Sequence, residues 1–345
     1  MLRIHGHELA VRLLQDSLRQ GRLHHAYLLS GPAHVGKTTL AVQLAQALNC
    51  REDEPPCGVC ASCRRIVGGH HADVRTISLA SDDSAEGRTL IGIETIRDLQ
   101  RAAHTSPYEG THRVFIIQEA DRLSVEAANA LLKVLEEPPP DLLWVLLTSD
   151  PEAVLLTIAS RCQTLELRPL PVGQTAQVLR ASHDLSEEDA ERIARLSRGC
   201  VGWALQAAEE PALLTRLHQQ LERLVDVSNG GLEGRFAYAA DLAQRFQRNR
   251  VQGREQLHVW LRWWRDVLLV QQDRQAQIAH QEWREALETH AQTLSQAQTV
   301  AWIKRLYQTL DALEHNANPR LALESMMLEL PQGATGSIRV SQRPA

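Results

Sequence analysis

The chain has 345 residues, 43% of them hydrophobic, and its 37 Lys and Arg against 42 Asp and Glu leave a net charge of −5 at pH 7. That length accommodates two or three domains, and that apolar share excludes a disordered chain. The charge balance excludes a surface coated in DNA-neutralising residues and leaves room only for a local basic patch. The opening residues carry no apolar leader, and the longest apolar run, Leu142–Leu147, is too short to cross a bilayer. Six cysteines are too few for a disulfide scaffold of this size, and four of them fall between Cys50 and Cys63. The expectation is a soluble protein of the reducing cytoplasm, with those four thiols held by a metal.

In chain order, residues 26–30 read as a short buried strand, and Lys37–Leu48 carries helical periodicity through Leu40, Leu44 and Leu48. Residues 50–72, with the cysteines, Pro55, Pro56, Gly68 and Gly69, read as an excursion from the sheet. Val74–Leu79 is the next predicted strand and Ala80–Arg88 a loop. A helix follows through Ile93, Ile96 and Leu99. Val114–Ile117 predicts a third strand, and Leu123–Leu135 a helix stopped by Glu136, Glu137 and three prolines. Leu142–Leu147 predicts a fourth strand and Cys162–Leu167 a fifth. Strands alternating with helices predict an α/β domain with a mostly parallel sheet, spanning 1–168.

Beyond Pro169 strand signals nearly vanish. A helix over Ser186–Leu196 is capped by Ser186, a turn follows at Gly199–Gly202, and 169–210 reads as a small helical domain. Residues 211–332 read as a second helical domain, broken at Gly230, Gly231 and Gly234. Its stripe of Leu257, Trp260, Leu261, Trp264, Val267 and Leu268, with Trp263 alongside, predicts a core helix. Residues 333–345 read as a flexible tail.

Gly31-Pro-Ala-His-Val-Gly36-Lys37-Thr38 is a complete phosphate loop between a predicted strand and a predicted helix. Such a loop turns backbone N–H groups toward phosphate oxygens, Lys37 reaches the β and γ phosphates, and Thr38 ligates magnesium. A loop that keeps its shape without holding nucleotide is the alternative. Hydrolysis needs carboxylates at the end of a neighbouring strand. Glu119 stands where the water-polarising group belongs. The position before it is the neutral Gln118, which predicts slow turnover, and Asp121 compensates only if the turn places it well.

Cys50, Cys57, Cys60 and Cys63 offer four thiolates with two C-x-x-C steps sharing Cys60. They predict a closed, structural zinc site, with an iron–sulfur cluster or unmetallated thiols as alternatives. His70 and His71 read as surface residues, either of which could replace a sulfur. Cys162 and Cys200 read as small buried hydrophobes.

With these residues in view, the chain resembles the AAA+ clamp-loader family of bacterial DNA polymerase III over essentially its whole length. The residues carrying the resemblance are His25–Gly31 before the phosphate loop, the cysteine module after the first helix and Ile93–Arg97. Glu119–Leu123 with Ala128–Pro139, the Ser160-Arg161-Cys162 motif and Asn318–Glu324 complete the set. Gln118, and Gly202 where motor subunits carry a sensor arginine, point to the delta prime type rather than to the ATP-hydrolysing gamma/tau type.

The resemblance implies an AAA+ phosphate-loop domain with an inserted zinc module at about 50–72, a helical lid and a C-terminal helical collar. It implies bound ATP and magnesium at Gly31, Gly36, Lys37, Thr38 and Thr39, with Thr148 as the sensor near the γ-phosphate. It further implies that Arg161, after the last strand of the sheet, serves a neighbouring subunit's site in trans. The implied partners are gamma/tau and delta subunits in a hetero-pentamer, the sliding clamp and, through the complex, primed DNA. Some of Trp263, Trp283 and Trp302 would then anchor subunit contacts. Asn129 and Lys133 share the exposed side of their helix, a face that could approach DNA, with a solvated face as the simpler reading. A DNA-repair ATPase on a similar fold is a third reading, against which the Arg161 motif and the helical collar count.

Overall fold

The structure, a computed structural model of the chain, describes residue 2, residues 4–79 and residues 90–331. The loop expected at 80–88 and the tail expected at 333–345 lie outside those residues. Among the described residues, no helix is long and apolar enough to cross a membrane. The chain divides into two compact units, one of residues up to Ala194 with Arg198–Leu205, the other of Arg195–Ser197 with the residues from Gln206 on.

The first unit begins with α1 (Glu8–Arg19), β1 (Ala26–Ser30), α2 (Lys37–Asn49), α3 (Ala61–Val67) and β2 (Val74–Ile77). It continues through α4 (Ile93–Ala103), β3 (Arg113–Ile117), α5 (Val125–Glu136), β4 (Leu142–Thr148), α6 (Leu156–Ala159) and β5 (Gln163–Glu166). The helices α7 (Val172–Ser182), α8 (Glu187–Ser197) and α9 (Val201–Glu209) follow. The five strands form one parallel sheet in the order β2-β3-β4-β1-β5.

Period-two alternation explains why the central strands read as unbroken apolar runs. Tyr27, Leu29, Val114, Ile116, Val145 and Leu147 pack on one face against Leu14 of α1 and Leu40 and Leu44 of α2. Leu28, Phe115, Ile117, Trp144 and Leu146 pack on the other against Ile96, Leu99, Leu131 and Leu135 of α4 and α5. Each such side chain contributes about 1.5–3 kcal/mol on full burial.

Several boundaries differ from expectation for local reasons. The helix expected from Leu123 starts at Val125, because Ala120–Arg122 forms a 3-10 turn and Ser124 Oγ accepts the Ala127 N–H at 3.1 Å. The second strand stops at Ile77. Gly202, expected in a turn, lies inside the first turn of α9. Ser186 caps α8 as expected, its Oγ accepting the Asp189 N–H at 3.0 Å.

The second unit comprises α10 (Pro211–Asn229), α11 (Leu232–Arg248), α12 (Arg250–Gln271), α13 (Arg284–Thr293), α14 (Gln296–Glu314) and α15 (Pro319–Leu328). Of the three glycines expected to break the chain, Gly230 and Gly231 do so, whereas Gly234 is helical. Trp260, Trp263 and Trp264 of α12 meet Trp283 and Trp302 in one aromatic core. Trp260 Nε1 donates to Tyr238 Oη at 2.8 Å and Trp263 Nε1 to His290 Nδ1 at 3.2 Å. Burial takes the His290 pKa down to about 4, which keeps the ring a neutral acceptor. Trp263, Trp283 and Trp302 therefore fill their own chain's core, and the expectation that some of them anchor subunit contacts is corrected. The buried Arg235 ties the turn between α10 and α11 to the residues just after α15, donating to the carbonyls of Ser228, Gly230 and Leu330.

Candidate functional site

The phosphate loop leaves the carboxyl end of β1, flanked by β4 and β5 with β3 next beyond β4, which is where open α/β sheets bind ligands. Parallel register sets Ser30 beside Thr148 and Ile117 beside Leu146, and the Gly31 N–H donates to the Thr148 carbonyl at 3.2 Å. Gly31 and Gly36 have φ of 143° and 116°, open to glycine alone at little cost. A β-carbon on Gly31 would lie 2.2 Å from the Leu167 carbonyl oxygen. Lys37 Nζ donates to the carbonyls of Gly31 at 2.6 Å and Pro32 at 2.8 Å, so its ammonium is folded over the mouth of the loop. Burial lowers its pKa to about 8, opposed by the Asp121 carboxylate and by Cys200. Thr38 and Thr39 are exposed in the first turn of α2.

At the end of β3 the acidic groups divide their work. Glu119 takes a left-handed conformation, φ 55°, and its Oε2 accepts the Leu79 N–H at 3.1 Å. Gln118 continues the ladder, its N–H donating to the Ile77 carbonyl at 2.8 Å. Asp121 is the carboxylate whose field reaches Lys37, and its Oδ1 lies 2.7 Å from Thr148 Oγ1. Thr148 is buried, with its hydroxyl also 2.8 Å from the Asp150 carbonyl. Its neighbour Ser149, which the sequence reading passed over, has the hydroxyl near the loop, 3.4 Å from Lys37 Nζ. Cys200, expected as a buried hydrophobe, is half-buried and close enough to raise the Lys37 pKa. Cys162 is also only half-buried, and desolvation pushes its thiol up to about 12.

The cysteine module grows from the far end of α2. Cys50 caps that helix, Cys60 caps α3, and the sulfurs of Cys50, Cys57, Cys60 and Cys63 all lie within 4.8 Å of one another. The Cys50–Cys60 and Cys57–Cys63 sulfur separations are 4.0 and 3.9 Å. Metal–sulfur bonds of about 2.3 Å at a tetrahedral zinc place sulfurs about 3.8 Å apart, so the donor set fits that ion. The Cys60 N–H donates to Cys57 Sγ and the Cys63 N–H to Cys60 Sγ, a pattern that favours thiolates.

His71, expected at the surface, is buried beneath this module. Its Nδ1 accepts the Asp73 N–H at 3.1 Å, which leaves Nε2 to face Ser62 Oγ at 3.1 Å. With both ring nitrogens engaged it does not replace a sulfur, while His70 is exposed. Asp73 completes the floor by accepting the N–H groups of Tyr108, Glu109 and Gly110 at 2.6–2.8 Å, with the Arg113 guanidinium at 3.1 Å.

Arg161 sits in the turn between α6 and the edge strand β5, so it precedes the last strand rather than following it. Its Nη2 pairs with Glu136 Oε1 at 2.7 Å and its Nη1 donates to the Thr157 carbonyl at 3.0 Å. Two of its five donors are thereby fixed at a half-exposed edge. Glu136, read in the sequence only as part of a helix stop, orients that guanidinium. Asn129 and Lys133 are exposed on α5 as expected.

A family model described as DNA polymerase III, delta subunit, matches residues 6–171, and one for the C-terminal part of that subunit matches 235–332. The DNA polymerase III subunit delta prime of Bacillus subtilis (strain 168) is 28% identical over 324 residues, 94% of this chain and 95% of that protein. The chain belongs to the DNA polymerase III clamp-loader family. The tau subunit of the same organism is 36% identical over 212 residues, 59% of this chain but 36% of its own length. The chain thus spans about a third of the length of the tau subunits it matches. Among solved structures, the DNA polymerase III gamma subunit-related protein of Thermotoga maritima aligns with a TM-score of 0.48 at 19% identity, over 92% of this chain and 99% of that one. The family resemblance carried by the sequence motifs is borne out, as is the α/β fold with a parallel sheet and a helical C-terminal region.

Proposed function

We propose that the chain is a delta prime-like, non-motor subunit of the bacterial clamp loader, holding ATP statically or weakly and supplying Arg161 to a neighbour's site. The observation carrying this reading is the match to a delta prime subunit along nearly the full length of both chains. In this reading 1–168 is the phosphate-loop domain, 169–210 the lid and 211–332 the collar. The collar joins gamma/tau and delta subunits in a cytoplasmic, replisome-associated hetero-pentamer that places the sliding clamp on primed DNA. Zinc held by Cys50, Cys57, Cys60 and Cys63 folds the insertion and takes no part in chemistry.

ATP with magnesium, when bound, supplies the phosphoanhydride whose hydrolysis drives such assemblies. This chain's residues cradle its phosphates with the Gly31–Gly36 backbone, neutralise them with Lys37 and offer Thr38 and Thr39 to the metal. Glu119 is held by the Leu79 amide and Gln118 is neutral, so water activation in the chain's own site is weak. Arg161, oriented by Glu136 and the Thr157 carbonyl, offers its remaining N–H donors outward.

Native mass spectrometry of the chain mixed with tau/gamma and delta subunits tests the assignment. One copy per complex is expected; failure to join either subunit contradicts it. A gamma/tau-like ATPase is the second reading, favoured by the complete phosphate loop and by Asp121 near Lys37. Phosphate release by the isolated chain, with and without primed DNA, separates the two.

A further inference from the structure

The first-turn N–H groups of a helix have no partner within the helix. In α9 one of them is satisfied by the phosphate loop itself: the Gly202 N–H donates to the His34 carbonyl at 2.9 Å. A β-carbon at Gly202 would lie 2.8 Å from that same oxygen and 3.4 Å from the carbonyl carbon. Both groups are backbone, so no side-chain rotation relieves the overlap. The entry to α9 is fixed one turn earlier, where Gly199 has φ 80° and its carbonyl accepts the Leu170 N–H at 3.0 Å. On its other flank the loop is held by His7, whose Nε2 lies 3.1 Å from the Val35 carbonyl oxygen. Glycine is a poorer helix former than alanine, so helical propensity gives no reason for it at 202. The close approach to His34 does.

We infer that Gly202 is a positioning residue of the nucleotide site, its missing side chain seating α9 directly on the phosphate loop and so slowing nucleotide exchange. The inference rests on the proposal that the loop holds nucleotide. It changes what the absent arginine means. Any β-carbon at 202 must lift α9 from His34, so the feature that removes a γ-phosphate sensor also creates a seat for the lid.

The test compares full-length wild type with G202A and G173A. Gly173 is a glycine in α7 with open space around its β-position, so G173A controls for the gain in helix propensity. Backbone hydrogen exchange in nucleotide-free protein, corrected for intrinsic rates, should be at least tenfold faster in G202A at residues 34–36 and 200–204, and unchanged in G173A. Release of a fluorescent ATP analogue loaded with magnesium should be at least threefold faster in G202A alone. Equal protection in wild type and G202A overturns the seat, and equal release despite faster amide exchange overturns its effect on the nucleotide. A wild type that binds no analogue defeats the nucleotide proposal and the exchange effect with it, while amide exchange still decides whether the seat exists.

Discussion

Asp73 shows how one carboxylate organises a loop that has no secondary structure of its own. Burial alone would raise its pKa, but three backbone N–H groups and Arg113 overcome that and bring it to about 2. Because the folded value lies below the unfolded value of about 3.9, the contribution to stability is complete above that pH and is lost as pH falls toward 2. The shift corresponds to about 2 kcal/mol. Asp73→Asn should therefore destabilise the protein by about that amount at pH 7, with the difference from wild type shrinking at pH 3 in denaturant titrations. Lys37 works in the opposite sense. Its ammonium, with a pKa near 8, is the form that would neutralise phosphate in the proposed site. Analogue affinity should thus hold from pH 6 to 7.5 and fall by up to about tenfold per unit above pH 8. Lys37→Ala should abolish binding throughout, as read by fluorescence titration.

Among elements, the cysteine module is the clearest case of structure imposed by a small set of side chains. Residues 50–60 contain no helix or strand, yet four sulfurs converge because Cys50 and Cys60 cap helices that pack together. Freshly purified protein should carry one zinc per chain by elemental analysis, and iron or no metal would contradict this. Cys60→Ser or chelation should raise hydrogen exchange across 50–72 while the sheet keeps its protection, because the metal contributes folding energy locally.

The central strands were legible because burial on both faces leaves an unbroken apolar run, and the phosphate loop because its glycines answer backbone geometry. The helix α1 was not read: its apolar residues are split between buried Ala10 and Leu14 and exposed Leu9 and Leu13. His71 was misplaced because nothing local marks a histidine whose partners, Ser62 and Asp73, come from both sides of a loop. The roles of Ser149 and Glu136 were invisible for a different reason: each depends on a partner far away in the chain, Lys37 for the one and Arg161 for the other.

At the scale of the whole molecule, the α/β unit carries the phosphate-loop motif, Asp121 and Thr148 at the carboxyl ends of its strands and a separately anchored guanidinium beside its edge strand. The helical unit keeps its tryptophans for its own core, so the subunit contacts proposed for it would fall to other residues. In the proposed function this chain contributes to hydrolysis mainly through Arg161 in a neighbour's site. The direct test is DNA-stimulated ATPase of a reconstituted clamp loader carrying Arg161→Ala, after native mass spectrometry has established that assembly is complete. At least a tenfold loss of rate is expected, since a fixed guanidinium stabilises transition-state charge that alanine cannot, with this chain's own nucleotide binding unchanged. A fully assembled mutant complex with wild-type ATPase and clamp loading would contradict it.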